Sequence, residues 1–267
     1  MFILLVLLST IISIPLFWVI SNALKAPTEV YLYPPRWIPR PPQWGNFAKA
    51  WSMLPFWRFL RNSLVTTVVP TVATVFVSAL VGYSFARMRW RGRDAVLMLC
   101  MATMMLPSQV TLIPRFLIFK QLNWTDTFYP LIVPSLFGSA YDIFLARQFL
   151  LTLPVELEEA ATIDGCSTFG TWWQVIMPLC KPVLTVIAIF AFMGHWSEFF
   201  GPLIYLNSRK NWTIMLGVVS FQDRLEGEVS IHLMMALSFL TMLPCLVLFF
   251  SSQKVFIEGI ALTGVKG

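Results

Sequence analysis

The sequence predicts an all-α, polytopic membrane protein of six transmembrane helices, and three observations carry that expectation. First, 57% of the 267 residues are hydrophobic and only 12% are charged, with a mean hydropathy of +0.73, which is more apolar surface than a water-soluble domain can hide. Second, the apolar residues gather into runs of the length that a hydrocarbon core of roughly 30 Å demands, about 20 residues per helix. Third, most arginines and lysines sit in the links between those runs. Membrane anchoring and orientation account for that placement, so the net charge of +6 does not call for a nucleic-acid partner. Helix is the required form because backbone polar groups in lipid must be paired within their own segment.

The runs occupy residues 2–20, 63–86, 95–114, 128–146, 179–203 and 233–252. The first, FILLVLLSTIISIPLFWVI, is longer than a signal-peptide core and lacks a basic leader and an A-x-A cleavage site, so it is expected to remain in the membrane. Its abrupt start after Met1 is compatible with a cytoplasmic leader upstream. Pro70, Pro107, Pro134 and Pro244 lie inside runs and predict kinks.

Residues 21–61 form a proline-rich loop whose Tyr31, Tyr33, Trp37 and Trp44 suit the membrane interface, and residues 204–230 form a second polar loop. The link RMRWRGRD at 87–94 packs four arginines into seven residues. A short basic turn of this kind faces the cytoplasm, which places both chain ends and 147–178 inside and 21–61, 115–127 and 204–230 outside. The total count pulls the other way, with eight Lys or Arg inside and eleven outside; the orientation is preferred because 87–94 is the densest cluster and the resemblance described below agrees with it. Cys100, Cys166, Cys180 and Cys245 are widely spaced without a CxxC pair and read as reduced, structural thiols.

The longest inside-facing connection, LPVELEEAATIDGCSTFGTWWQVIMPLCKP at 153–182, has a helical grammar of its own. Pro154 suits a helix start, Glu156, Glu158 and Glu159 favour the positive end of the helix dipole, and Ala160 and Ala161 prolong the helix. Gly165 offers a turn. A second, amphipathic stretch from Ser167 carries Phe169, Trp172, Trp173, Val175 and Ile176. Such an element can lie on lipid headgroups or protrude as a docking surface, where small alanines beside a glycine allow close approach and acidic groups meet basic ones.

Glu159-Ala160-Ala161, three residues, Gly165, nine residues and then Val175-Ile176-Met177-Pro178 resemble the EAA motif of ABC importer permeases, with conservative departures at Val175 and Met177. LPSQVTLIPRFLIFKQLNWTDT (106–127), IFLARQFLLTLP (143–154) and QKVFIEGIALTGVKG (253–267) are similar to segments of the carbohydrate-importer branch, which includes maltose and glycerol-phosphate permeases. The resemblance implies a type I importer fold in which residues 1–267 form one permease domain and 153–178 its cytoplasmic coupling loop. It further implies a multi-pass protein of a prokaryotic inner membrane that passes a sugar or sugar-like solute. Its partners would be a second permease subunit, two ATP-binding subunits and an extracytoplasmic solute-binding protein. By the same carry-over Glu159, Ala160, Ala161, Asp164 and Gly165 dock the ATPase, and Lys266 with Gly267 lies in a tail near the ATPase dimer.

No catalytic role is expected of the chain itself. The nearest string to a phosphate-binding loop, GCSTFGTW at 165–172, has Thr171 where the lysine should stand, so ATP and Mg belong on the partner subunits. With His195 and His232 the only histidines and no HExxH, neither a metal site nor a cofactor bound by this chain is expected. Ionisable or polar groups within spans point to a path: Gln109, Tyr141, Asp142, His195, Trp196 and Glu198 combine hydroxyl-binding groups with aromatic faces, as sugars require. Aromatic packing is the plainer reading of several of them. A self-contained carrier driven by an ion gradient, with Asp142 and Glu198 as relay, is the alternative; such carriers usually show internal repeats, and no convincing repeat is present. A membrane-bound receptor or assembly factor finds no soluble domain to support it.

Overall fold

The computed structural model describes residues 2–224 and 230–264; Lys266 and Gly267 lie outside the described residues. In chain order the helices are α1 (Phe2–Ala23), α2 (Gly45–Met53), α3 (Phe56–Arg87), α4 (Arg93–Thr103), α5 (Ser108–Gln121), α6 (Tyr129–Ile132), α7 (Ala140–Leu150), α8 (Glu156–Ile163), α9 (Thr168–Thr171), α10 (Met177–Leu179), α11 (Lys181–Trp196), α12 (Phe200–Tyr205), α13 (Ile214–Arg224) and α14 (Ile231–Gly264). Helix makes up 76% of the structure and no strand occurs among the described residues.

Four stretches are long and apolar enough to cross a membrane: Phe2–Ala23, Phe56–Arg87, Tyr129–Leu150 and Ile231–Gln253. A fifth is reached if Thr168–Leu179 and Lys181–Trp196, bent by 78° where they meet, are taken as one span. The expected run 95–114 is divided: α4 ends at Thr103 and α5 begins at Ser108 behind Pro107, whose ψ of 134° is extended. Proline lacks the N–H for a continuing helix and pushes the residue before it out of the α region, so Pro107 ends a helix instead of kinking one. Pro70 and Pro244, by contrast, lie inside continuous helices.

Contacts divide the chain into two compact units, residues 1–63 with 212–247 and residues 64–211 with 248–267. In the first, Asn46 Nδ2 donates to the Ala23 and Lys25 carbonyls, both at 2.9 Å, tying α2 to the end of α1. The Ile214 N–H donates to Ser63 Oγ at 2.7 Å, and Asn62 Nδ2 to the Trp212 carbonyl at 2.9 Å. Gly217 lies against the Phe59 ring so closely that a Cβ there would stand 2.4 Å from Cδ2. The outer face of α1 is bare, Phe2 and Ile3 being 79% and 75% exposed. Lipid solvates such a face as well as a protein neighbour does.

The second unit holds a buried core beside the candidate site. Ala79, Ala146, Leu150, Trp172, Ile176 and Ile187 form one buried cluster drawn from α3, α7, the segment after α9 and α11. Gly82 of α3 marks a close crossing with α7, since an added Cβ would meet Ala146 Cβ at 2.9 Å. Trp172 fills the centre, edge-on to Phe76 at 5.6 Å. At the opposite, loop-rich side, Asp126 binds the 205–211 segment: the Asn207 and Ser208 N–H groups donate to its Oδ1 at 3.1 and 2.8 Å, the Ser208 hydroxyl donates to Oδ2, and Asn211 Nδ2 donates to its carbonyl at 2.6 Å.

Candidate coupling element and solute path

α8 presents the acidic first turn that its sequence dictates, Glu156, Glu158 and Glu159, where the helix dipole favours negative charge. Its C-terminus closes with two backbone bonds, the Gly165 N–H to the Thr162 carbonyl at 3.1 Å and the Cys166 N–H to the Ala161 carbonyl at 2.9 Å. Together with Gly165 at φ +85° this is a Schellman turn, in which glycine occupies the left-handed position at little cost. No atom lies within 4 Å of where a Cβ of Gly165 would sit. Glu159, Ala160, Asp164 and Gly165 are exposed together, whereas Ala161 is only 6% exposed and faces the chain's own interior.

Beyond the turn Ser167 caps α9, its Oγ accepting from the Gly170 N–H at 3.1 Å. The expected amphipathic stretch is a short α-turn followed by a wider π-turn over Trp172–Ile176. Trp172 and Ile176 are buried, and Phe169 and Trp173 are 61% and 52% exposed, so the two-faced character is real. The element is anchored from below. Arg87, the last residue of α3, approaches Glu158 with Nε 2.7 Å from Oε1. Its Nη2 donates to the Leu153 carbonyl at 2.6 Å, and the Tyr83 hydroxyl donates to Glu158 Oε2 at 3.0 Å. Arg87 and Glu158 side chains are only 11% and 15% exposed.

Two neighbouring cavities occupy the second unit. One, of about 410 Å³, is lined by Gln109, Arg115, Ser135, His195, Glu198 and Tyr205 among others. The other, of about 380 Å³, is lined by Thr74, Ser135, Ser139, Asp142, His195 and Glu198 with small apolar neighbours. His195 and Glu198 therefore stand at both. His195 does so from the last turn of α11 and Glu198 from the break at 197–199 in the expected fifth run: α11 ends at Trp196 and α12 begins at Phe200, with Glu198 Oε1 accepting the Gly201 N–H at 2.9 Å.

Of the six path residues read from the sequence, Gln109, Asp142, His195 and Glu198 line these cavities. Tyr141 is 46% exposed and lines neither, and Trp196 is buried against Phe192 with rings 5.7 Å apart. Arg115, Ser135, Tyr205 and Thr74 line the cavities without having been singled out. Arg115 lies six positions after Gln109 in α5, and an arginine just past an apolar run was the one available signal. Among the described residues no group of three or more His, Cys, Asp or Glu could hold a metal ion.

Comparison with known proteins places this geometry in a lineage. Residues 75–261 match the family model of the binding-protein-dependent transport system inner membrane component. The probable ABC transporter permease protein YurM of Bacillus subtilis (strain 168) is 31% identical over 96% of this chain and 84% of its own length. The sn-glycerol-3-phosphate transport system permease protein UgpE of Yersinia enterocolitica is 30% identical over 94% of this chain and 91% of its own. The arabinooligosaccharides transport system permease protein AraQ of Bacillus subtilis (strain 168) is 32% identical over 79% and 74%. A chain of a bacterial ABC transporter involved in the import of the acidic polysaccharide alginate shares the fold, with a TM-score of 0.83 at 20% identity over 95% of this chain and 94% of that one. A multi-pass bundle with an EAA-like element at the end of α3 and a 70%-scale match to the family (residues 75–261 of 267) thus leads to one assignment: the chain belongs to the binding-protein-dependent transport system inner membrane components, the permease subunits of ABC transporters.

Proposed function

We propose that this chain is one permease subunit of an ATP-driven importer for a sugar or sugar-like solute, such as an oligosaccharide, a polyol or a glycerol phosphate, in the inner membrane of a prokaryote. Residues 1–267 act as one permease domain. The link 87–94 and the coupling element 153–178 face the cytoplasm, where the exposed face of Glu159, Ala160, Asp164 and Gly165 docks a separate ATP-hydrolysing subunit. ATP and Mg are held by two such subunits, not by this chain. Ala161 seats the helix from inside and so acts on docking indirectly. A second permease subunit and an extracytoplasmic solute-binding protein complete the assembly. Lining residues Gln109, Asp142, His195 and Glu198, with Arg115, Ser135 and Tyr205, offer the hydrogen-bonding groups that solute hydroxyls or an anionic headgroup need. The solute class is supported by relatives whose names specify arabino-oligosaccharides, sulfoquinovosyl glycerol and glycerol 3-phosphate.

The observation that carries this reading is the rigid, Schellman-closed helix end with its acidic and small residues uncovered, in a chain of this family. Proline at 165 would force φ from +85° to about −65° and delete the N–H bonded to Thr162, a change of about 3 kcal/mol or more. Gly165→Pro and Glu159→Lys are expected to abolish ATPase co-purification and uptake of radiolabelled oligosaccharides, polyols and glycerol 3-phosphate, while membrane insertion persists. Undiminished ATPase binding and uptake in both variants would refute the proposal. Asp142 and Glu198 lie at one cavity, as an ion-gradient carrier would need. Ionophore-sensitive, ATP-independent uptake by the chain alone in proteoliposomes would favour that carrier instead.

A further inference from the structure

We propose that Arg87, Glu158 and Tyr83 are positioning residues that lock the coupling helix α8 to the end of α3, so that any displacement of α8 is delivered to α3 and through it to the cavity wall. The inference rests on the docking function proposed for α8. Its groups, however, lie apart from the docking face, because Glu158 points inward where Glu159 points out.

One ion-pair contact and two hydrogen bonds make the lock. The Arg87 guanidinium forms an ion pair with Glu158, Nε lying 2.7 Å from Oε1 without hydrogen-bond geometry, and its Nη2 donates to the Leu153 carbonyl at 2.6 Å. It thereby holds both α8 and the turn leading into it. The Tyr83 hydroxyl, one helical turn earlier on α3, takes the other carboxylate oxygen at 3.0 Å. The guanidinium reaches the Glu158 carboxylate and the Leu153 carbonyl at once through different nitrogens, which the single point charge of a lysine does less well. With both side chains nearly buried, solvent competes poorly, and removing one partner leaves the other charged and unpaired.

A second attachment lies below, at the Gly82 and Ala146 crossing of α3 with α7, and α7 runs through Leu151–Val155 directly into α8. α3, α7 and α8 are therefore joined at two levels and cannot slide independently. Thr74, on the same α3, lines the cavity that holds Asp142, His195 and Glu198, so the lock is connected by one continuous helix to the proposed path. A two-state transporter needs such a rigid connection if nucleotide-driven motion is to bias the path.

The test uses the complete complex in proteoliposomes, with the native cysteines replaced and Thr74→Cys as reporter. Its maleimide labelling rate is measured without nucleotide and after trapping with Mg-ATP and vanadate. With α3 locked to α8, trapping is expected to change the rate at least about fivefold. Arg87→Met and Glu158→Gln should abolish that change while the ATPase subunits stay bound and hydrolyse ATP; Arg87→Lys and Tyr83→Phe should each retain part of it. An undiminished change in Arg87→Met would overturn the proposal. So would loss of the ATPase subunits from Arg87→Met and Glu158→Gln, which would make the cluster a support of the docking face only. If Arg87→Met fails to insert, Tyr83→Phe decides by the same readout, since it removes one hydroxyl from an otherwise intact lock. A parent complex that holds no ATPase would instead overturn the proposed function, and this inference with it.

Discussion

Gly165 and Glu158 show how single residues set the behaviour of the coupling element. At Gly165 space is open and only the backbone is demanding, because φ is +85° with nothing near a would-be Cβ. Gly165→Ala is therefore expected to weaken the turn by about 1 kcal/mol and to lower ATPase binding by less than tenfold, checked by titrating the ATPase subunit onto purified complex. A loss as complete as that of Gly165→Pro would show that the position touches the partner directly. Glu158 and Glu159 are adjacent in sequence yet opposite in role. Successive helix positions point about 100° apart, which turns one toward Arg87 and leaves the other uncovered. The same geometry separates Asp142, which lines a cavity, from Tyr141, and separates His195 from the buried Trp196. The sequence grouped Tyr141 with Asp142 and Trp196 with His195 as path residues, and the helix phase divides each pair. Arg87 and Glu158 are too far apart in sequence for any local pattern to have joined them.

At the scale of elements, hydropathy marked where helices lie but not where they break. The runs 2–20, 63–86 and 233–252 correspond to α1, α3 and α14, because long apolar stretches with high helix propensity have no other way to satisfy their backbone in lipid. Breaks at 104–107 and 197–199 arise from backbone chemistry that an average over side chains does not register. The break at 197–199 brings Glu198 to both cavities, and it is the element-level feature that made the path residues only partly legible. The loop after α5 offers a pH test. Burial raises the Asp126 carboxyl, but the stronger combined effect of donors from Ser208, Asn211 and Asn207 holds it below its ordinary value of 3.8. A depressed carboxyl pKa contributes stability that is fully present above the unfolded value and is lost as pH falls through the folded one. Asp126→Asn is therefore expected to melt lower than the parent at pH 7, with the gap narrowing below about pH 4. Thermal melts of detergent-solubilised protein at the two pH values check this, and a gap that widens on acidification would contradict it.

For the molecule as a whole, membrane residence and the helix-and-glycine-turn form of residues 156–165 were legible because each has a strong physical signature: apolar length in one case, and a helix start, alanine pair and glycine stop in the other. The solute path was less so, since a cavity is a property of several helices at once and no single segment records it. The proposed function depends on joining the two, the exposed face of α8 held at one end of α3 and the polar cavity that Thr74 of the same helix lines. A photocrosslinking residue in place of Ala160, in the assembled transporter within inside-out vesicles, tests that dependence most directly. The account predicts a nucleotide-sensitive crosslink to the ATP-hydrolysing subunit; crosslinking to lipid alone through the whole transport cycle would contradict it.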